Sequence, residues 1–456
     1  MDVRQLAKLR PLGKLETVSS VCHHLSYYNN VGLSALYKIS SPSAKYDLDH
    51  IIYVVLERVV NEHSILSAIP VDENTPKPYL ARLHSIDLNR SITFIERSKQ
   101  VDLDEAEDKE LDAILQHEAN TNFKQDYGVL LFYRLLVVHT HGVDNEFTAS
   151  FIFHHAIGDG VARLTFHKSF LSALRTASTS ETPTPSQRQY IIPTNKQDLL
   201  PPLENLHPLP LPPLPPPFHQ ILNLTRNIST TFVKDCKKRN LTVTAGLIPL
   251  IAPILFDSLP RDTEALTCII PVSLQPWLPR EIMKEWMGTW IDAFKVKILS
   301  TAQDSTNAWS QTNQDIWPQA RGTMKQIQTY LKNTSPSDEP HAGVAIFKTI
   351  PDVSPIFQGA PGNPRDALFE LSNLGVLPKN PLRASDTMNG QEAWRVGKVT
   401  FSRSVVVSGS VLTVNVVTGG DGRIKLGFTW QENVVENSLI QTLVAGIESY
   451  FGVRGV

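Results

Sequence analysis

The chain has 456 residues, 41% hydrophobic and 19% charged, with a formal net charge of -2. This is ordinary globular composition, long enough for about two to four domains and for a core that needs no staples. The near-neutral balance argues against a dedicated nucleic-acid binder, and no run of about eighteen apolar residues reads as a membrane span.

Three cysteines, Cys22, Cys236 and Cys268, are too scattered for a disulfide framework and read as buried bystander thiols. The N-terminus, MDVRQLAKLRPLGKLE, lacks the apolar stretch of a secretory signal, so a cytoplasmic protein is expected.

In chain order, Asp47 to His63 sets Ile51, Ile52, Val55, Leu56, Val59 and Val60 at helical spacing behind a capping aspartate. Leu103 to Asn120 reads as an acidic helix with Leu111, Ile114 and Leu115 on one side. Val129 to His139 and Glu146 to Phe153 flank HGVDN, the pattern of a hairpin. Gly160 to Leu174 returns to helical period. Thr176 to Pro217 reads as a linker, because PPLENLHPLPLPPLPPPF is half proline and suits extended polyproline II. An SH3-type ligand is a second use for that segment.

Beyond it, Leu241 to Leu255 predicts an apolar helix and Thr267 to Val272 a buried strand. Ser404 to Val417 and Arg423 to Trp430 predict a hairpin around GGDG, with a final amphipathic helix over Glu436 to Phe451. Contact of that last helix with a membrane surface is the alternative to a core-facing role. Both halves therefore mix strands and helices, which points to α/β (α+β) layers: 1–190, a linker at 191–218, and 219–456.

The chemistry concentrates in FIFHHAIGDG, Phe151 to Gly160. An apolar strand ends at His154 and His155, and a helix begins near Gly160. Such a turn is held by rigid elements yet opens to a cleft. A neutral imidazole is well matched to proton abstraction near pH 7. Asp159 suits a helix N-cap, and the plainest reading is two histidines ending a strand ahead of that cap. Metal binding is disfavoured: adjacent strand residues point to opposite faces, and no second cluster with ligand spacing is visible.

HHAIGDG is an instance of HHxxxDG and resembles the signature of the CoA-dependent acyltransferase superfamily, which includes chloramphenicol acetyltransferase and nonribosomal peptide condensation domains. RPLGKLETVSSVCHHLSYYNNVGLSALYKI, LSNLGV and FSRSVVVSGSVLTVNVVTGGDGRIKLGFTW are similar to elements of its fungal alcohol acetyltransferase branch, so the resemblance runs from about Arg10 to Phe451. The D-F-G-W-G loop of the plant branch has no counterpart, and Gln275 stands where a basic residue is often found. Which arginine, if any, pairs with Asp159 is therefore open.

The resemblance implies two chloramphenicol-acetyltransferase-like domains, each a mixed sheet flanked by helices, with an active-site tunnel between them. It implies His155 as general base and His154, Asp159 and Gly160 as support. The donor would be acetyl-CoA or another acyl-CoA, with no permanently bound cofactor and no metal. The acceptor would be a hydrophobic alcohol, and the protein a monomeric transferase of fungal secondary metabolism. Ser372 and Asn373 are candidates for an oxyanion donor, or simply a turn. Lys234, Lys237, Lys238 and Arg239 are a basic cluster for CoA phosphates, or a solvated helix face. An N-acyltransferase, a condensation-type enzyme using a carrier-bound thioester, and a non-catalytic scaffold are the competing readings.

Overall fold

The structure is a computed structural model that describes residues 3–39, 47–101, 108–125, 127–143, 145–177, 190–206, 220–278, 286–300, 315–332, 350, 352, 354–359, 365–377, 387–388, 391–392, 394–404, 409–431 and 434–454. Two large mixed sheets organise it. The first runs Arg395–Arg403, Val31–Lys38, Glu146–Phe153, Tyr133–Thr140, Ile92–Arg97. Its neighbours are antiparallel except for the last pair, which is parallel.

The second sheet runs Gln220–Asn223, Ile424–Trp430, Ser410–Thr418, Ala367–Val376, Ala265–Ser273, Ile291–Leu299. Its third to fifth strands are parallel to one another. Each sheet anchors its own hydrophobic cluster. One strand breaks the chain order: Arg395–Arg403 comes from beyond residue 219, yet it completes the first sheet by pairing with Val31–Lys38.

Local sequence explains the helices that cover these sheets. Asp47 accepts from the His50 amide at 3.1 Å, starting Leu48–Glu62, whose Ile52, Val55, Leu56 and Val59 are fully buried. Asp108 caps Lys109–Ala119 in the same way, so that helix starts later than its acidic run suggests; residues 102–107 lie outside the described ones. Thr242 caps Val243–Asp257, which is buried on nearly every side. The hairpin of Ser410–Thr418 with Ile424–Trp430 turns through Gly422, whose φ of +78° lies in the region that glycine favours.

Within the proline-rich region, residues 178–189 and 207–219, including PLPPLPPP, lie outside the described residues. Between them, Ile191–Pro193 pairs with Ser85–Asp87, and Leu203–Leu206 forms a short helix. Among the described residues, no single helix is long and apolar enough to cross a membrane.

Candidate active site

Glu146–Phe153 is buried along its whole length, and its end delivers the two histidines. The His154 amide donates to the Phe132 carbonyl at 2.8 Å. His154 Nδ1 then accepts from the Ala156 amide at 2.9 Å, closing a short 3-10 turn over His155–Ile157. Gly158 continues in extended backbone, and close packing explains its lack of a side chain: a Cβ there would lie 2.6 Å from the Cβ of Ala162.

Asp159 is fully buried and starts the helix Gly160–Ala177. Oδ1 accepts from the amides of Val161 at 2.8 Å and Ala162 at 3.1 Å, while Oδ2 accepts from the Trp290 amide at 2.9 Å. The Asp159 amide in turn donates to the Gly288 carbonyl at 3.0 Å. Among the described residues, the hydrogen-bond partners of the Asp159 carboxylate are thus backbone amides, and Arg163 acts on it only through its charge. Burial pushes its pKa up, against the pull of these three amides and of Arg163. One residue along from Gly288, the hydroxyl of Thr289 donates to the carbonyl of His155 at 3.0 Å. Residues 288–290 therefore clamp both ends of the corner.

His155 lines a cavity of roughly 200 Å³ between the two sheets. Its Nδ1 is buried beside the carbonyls of His155 itself and Gly158, which leaves Nε2 as the nitrogen available to the cavity. The Tyr28 ring lies 5.6 Å away. Burial, then the charges of Arg163 and Arg403, push the imidazole pKa down to about 3, so the ring is neutral at pH 7. The first half contributes apolar wall residues such as Leu15, Val18 and Leu164. Across from them the second sheet contributes Asp292, Glu370 and Ser372.

The charged groups in this wall are mostly committed. Glu370 forms a buried ion pair with Arg403. Asp292 accepts from the Tyr330 hydroxyl and the Ala293 amide, and burial raises its pKa to about 6. Arg163 is stacked 4.2 Å over the ring of Phe401.

Ser372 and Asn373 both line the cavity, at the end of Ala367–Val376. Asn373 is engaged at both ends: Oδ1 accepts from the Gly375 amide at 2.8 Å, and Nδ2 donates to Thr244 Oγ1 at 3.2 Å. That is turn chemistry, and it leaves the Ser372 hydroxyl as the side-chain donor of the pair. Gly160 meets the same strand end, since a Cβ there would come 2.8 Å from Leu374 Cδ2. Lys234, Lys237, Lys238 and Arg239 are exposed and none lines the cavity. Arg239 stacks on Trp317 and pairs with Asp235.

A buried cluster behind the corner escaped sequence reasoning. His23, Glu73 and His154 meet there from three separate elements. Glu73 accepts from Ser20 Oγ at 2.8 Å, faces His23 Nδ1 at 3.0 Å and lies 3.5 Å from His154 Nε2. The remaining nitrogens, His23 Nε2 and His154 Nδ1, accept from the amides of Phe123 and Ala156. A metal-bound neutral imidazole carries its proton on the far nitrogen and donates it to an acceptor. Here each far nitrogen faces a donor, so the protons point at Glu73 and the trio does not suit a metal. No local signal announces this cluster, because its members lie some 50 and 81 residues apart.

No family model matches the chain. It is 44% identical over 464 residues to the "Probable alcohol acetyltransferase crmB" of Aspergillus fumigatus, covering 96% of this chain and 98% of that one. It is 22% identical over 488 residues to the "Probable alcohol acetyltransferase FCK4" of Fusarium pseudograminearum, covering 97% and 94%. Among solved structures, the TRI3 trichothecene 15-O-acetyltransferase of Fusarium sporotrichioides superposes with a TM-score of 0.69 at 15% identity, covering 97% of this chain and 94% of that chain. The first condensation domain of the CDA synthetase gives 0.63 at 10% identity, covering 97% and 96%. At such identities the two structures show the shared two-lobed fold.

Proposed function

We propose that this chain, which belongs to the alcohol acetyltransferase family, moves an acetyl group from CoA to an alcohol hydroxyl with His155 as general base. The observation that carries the reading is the neutral imidazole of His155 opening on the cavity between the sheets, from a corner clamped by residues 288–290.

The alcohol O–H donates to His155 Nε2, and its oxygen attacks the thioester carbonyl as the imidazole takes the proton. The negative oxygen of the tetrahedral intermediate accepts from the Ser372 hydroxyl. That intermediate collapses by breaking the carbon–sulfur bond. The departing CoA thiolate then takes the proton from the imidazolium, which restores the base. Burial and the charges of Arg163 and Arg403 keep His155 weakly basic; the developing negative oxygen supplies the countercharge that favours its protonated form.

Transfer is direct in this reading. The cysteine in the wall, Cys22, is fully buried and burial pushes its thiol pKa far up, so it offers no thiolate nucleophile. Asp159 is a positioning residue that holds the corner through backbone amides. His154 serves the same end through its bond to Ala156. An alcohol is favoured over an ammonium acceptor because a cation would meet the guanidinium of Arg163. The test is release of CoA thiol from acetyl-CoA with a panel of alcohols and amines, with product mass naming acceptor and acyl group. Thiol release with alcohols supports the proposal; consumption with amines alone overturns it.

A further inference from the structure

Arg163 stands three residues after Gly160 on the helix that follows the corner, and it lines the same cavity as His155. Its side chain is 3% exposed. Nε and Nη1 are buried and meet no hydrogen-bond acceptor among the described residues. Stacking on Phe401 engages the face of the guanidinium and leaves its in-plane donors uncommitted. A buried cation without an acceptor is costly, so an arginine kept in this state calls for an anion from outside the chain.

The nearby carboxylates do not supply one. Asp159 is held by three backbone amides, Glu370 by Arg403, and Asp292 by Tyr330 and Ala293. The hydroxyl of Tyr28 lies beside Arg403, which can only donate to it, so the phenol proton is also uncommitted among the described residues. Two residues of the same wall thus hold donors that lack an acceptor, and both flank His155.

We propose that Arg163, with Tyr28, binds a carboxylate on the acyl acceptor, so that the acceptor is a hydroxy acid whose hydroxyl is presented to His155. The assignment of that carboxylate to the acceptor rests on the acetyl-transfer reading above, since an acetyl group carries none. Occupancy of this subsite also offsets one of the two arginine charges that, after burial, oppose protonation of His155, which couples acceptor binding to the strength of the base.

The subsite is tested without turnover, by calorimetric titration of the intact protein at pH 7 with butyrate and with butyramide, its neutral isostere. A hydrogen-bonded charge pair predicts that butyrate binds about tenfold or more tightly than butyramide. Arg163→Met should abolish that preference and Arg163→Lys should keep part of it. Equal affinity of the wild-type protein for the two probes, or no butyrate binding, overturns the proposal without reference to any variant. An unchanged preference in folded Arg163→Met does the same. With acetyl-CoA, a hydroxy acid should be acetylated in preference to its methyl ester; the reverse order places the carboxylate elsewhere than on the acceptor and overturns the assignment. If butyrate is preferred but acetyl-CoA is never consumed, the anion subsite stands and the acetyl-transfer reading fails.

Discussion

The carboxylate of Asp159 accepts a hydrogen bond from the backbone amide of Trp290 at 2.9 Å, across 131 residues of chain. With Gly288 and Thr289 bonded to the same corner, this joins the segment leading into the second sheet to the turn that carries His155. All three acceptor contacts of Asp159 come from N–H groups, so an amide nitrogen in place of one oxygen would face a donor. Asp159→Asn should therefore lower stability by about 2–3 kcal/mol. Urea unfolding checks this, and an unfolding midpoint equal to wild type would mean the amide network does not hold the corner.

Gly158 sits where the corner meets its own helix. Alanine there would bring two Cβ atoms to 2.6 Å, with the Phe153 ring at 3.1 Å on the other side. Neither neighbour is the end of a flexible chain. Gly158→Ala should cost about 1–3 kcal/mol through overpacking and reduce turnover by displacing His155. Thermal unfolding together with thiol release reads both effects.

Three buried histidines should make the fold acid-sensitive. Burial holds His154 well below its ordinary range, His155 at about 3 and His167 at about 4. Each is neutral when folded and protonates near pH 6.5 when unfolded. Their depressed values contribute stability that is present above about pH 6.5 and is lost as pH falls toward the folded values. Between those limits each removes about 1.4 kcal/mol per pH unit. His167 accepts from Tyr37 at Nδ1 and donates to the Leu33 carbonyl from Nε2. His167→Gln should be less stable at pH 7 but lose stability less steeply by about that amount. Parallel curves for variant and wild type between pH 6 and 4 would show that His167 does not titrate this way.

Local pattern carried the fold a long way. Leu48–Glu62, Val243–Asp257, the Ser410–Thr418 hairpin and the strand–corner–helix around His155 all follow from spacing, caps and turn residues close in sequence. What stayed hidden depends on contacts between distant residues. Strand Arg395–Arg403 reads like its neighbours, and nothing in it says that its partner is Val31–Lys38. The amide that meets Asp159 could belong to any residue, because backbone carries no sequence signature. Arg163 falls among ordinary helix positions, and only the cavity distinguishes it from a solvated arginine. Likewise Glu73 lies in no motif, and its role emerges from Ser20, His23 and His154 closing around it.

The central claim is that His155 takes the proton from the acceptor. It is tested most directly by the rate of CoA-thiol release from acetyl-CoA by His155→Ala, with an alcohol the wild-type protein acetylates. The variant should keep the wild-type circular dichroism and lose about 100-fold or more of the rate. Turnover close to wild type in the folded variant would contradict the account.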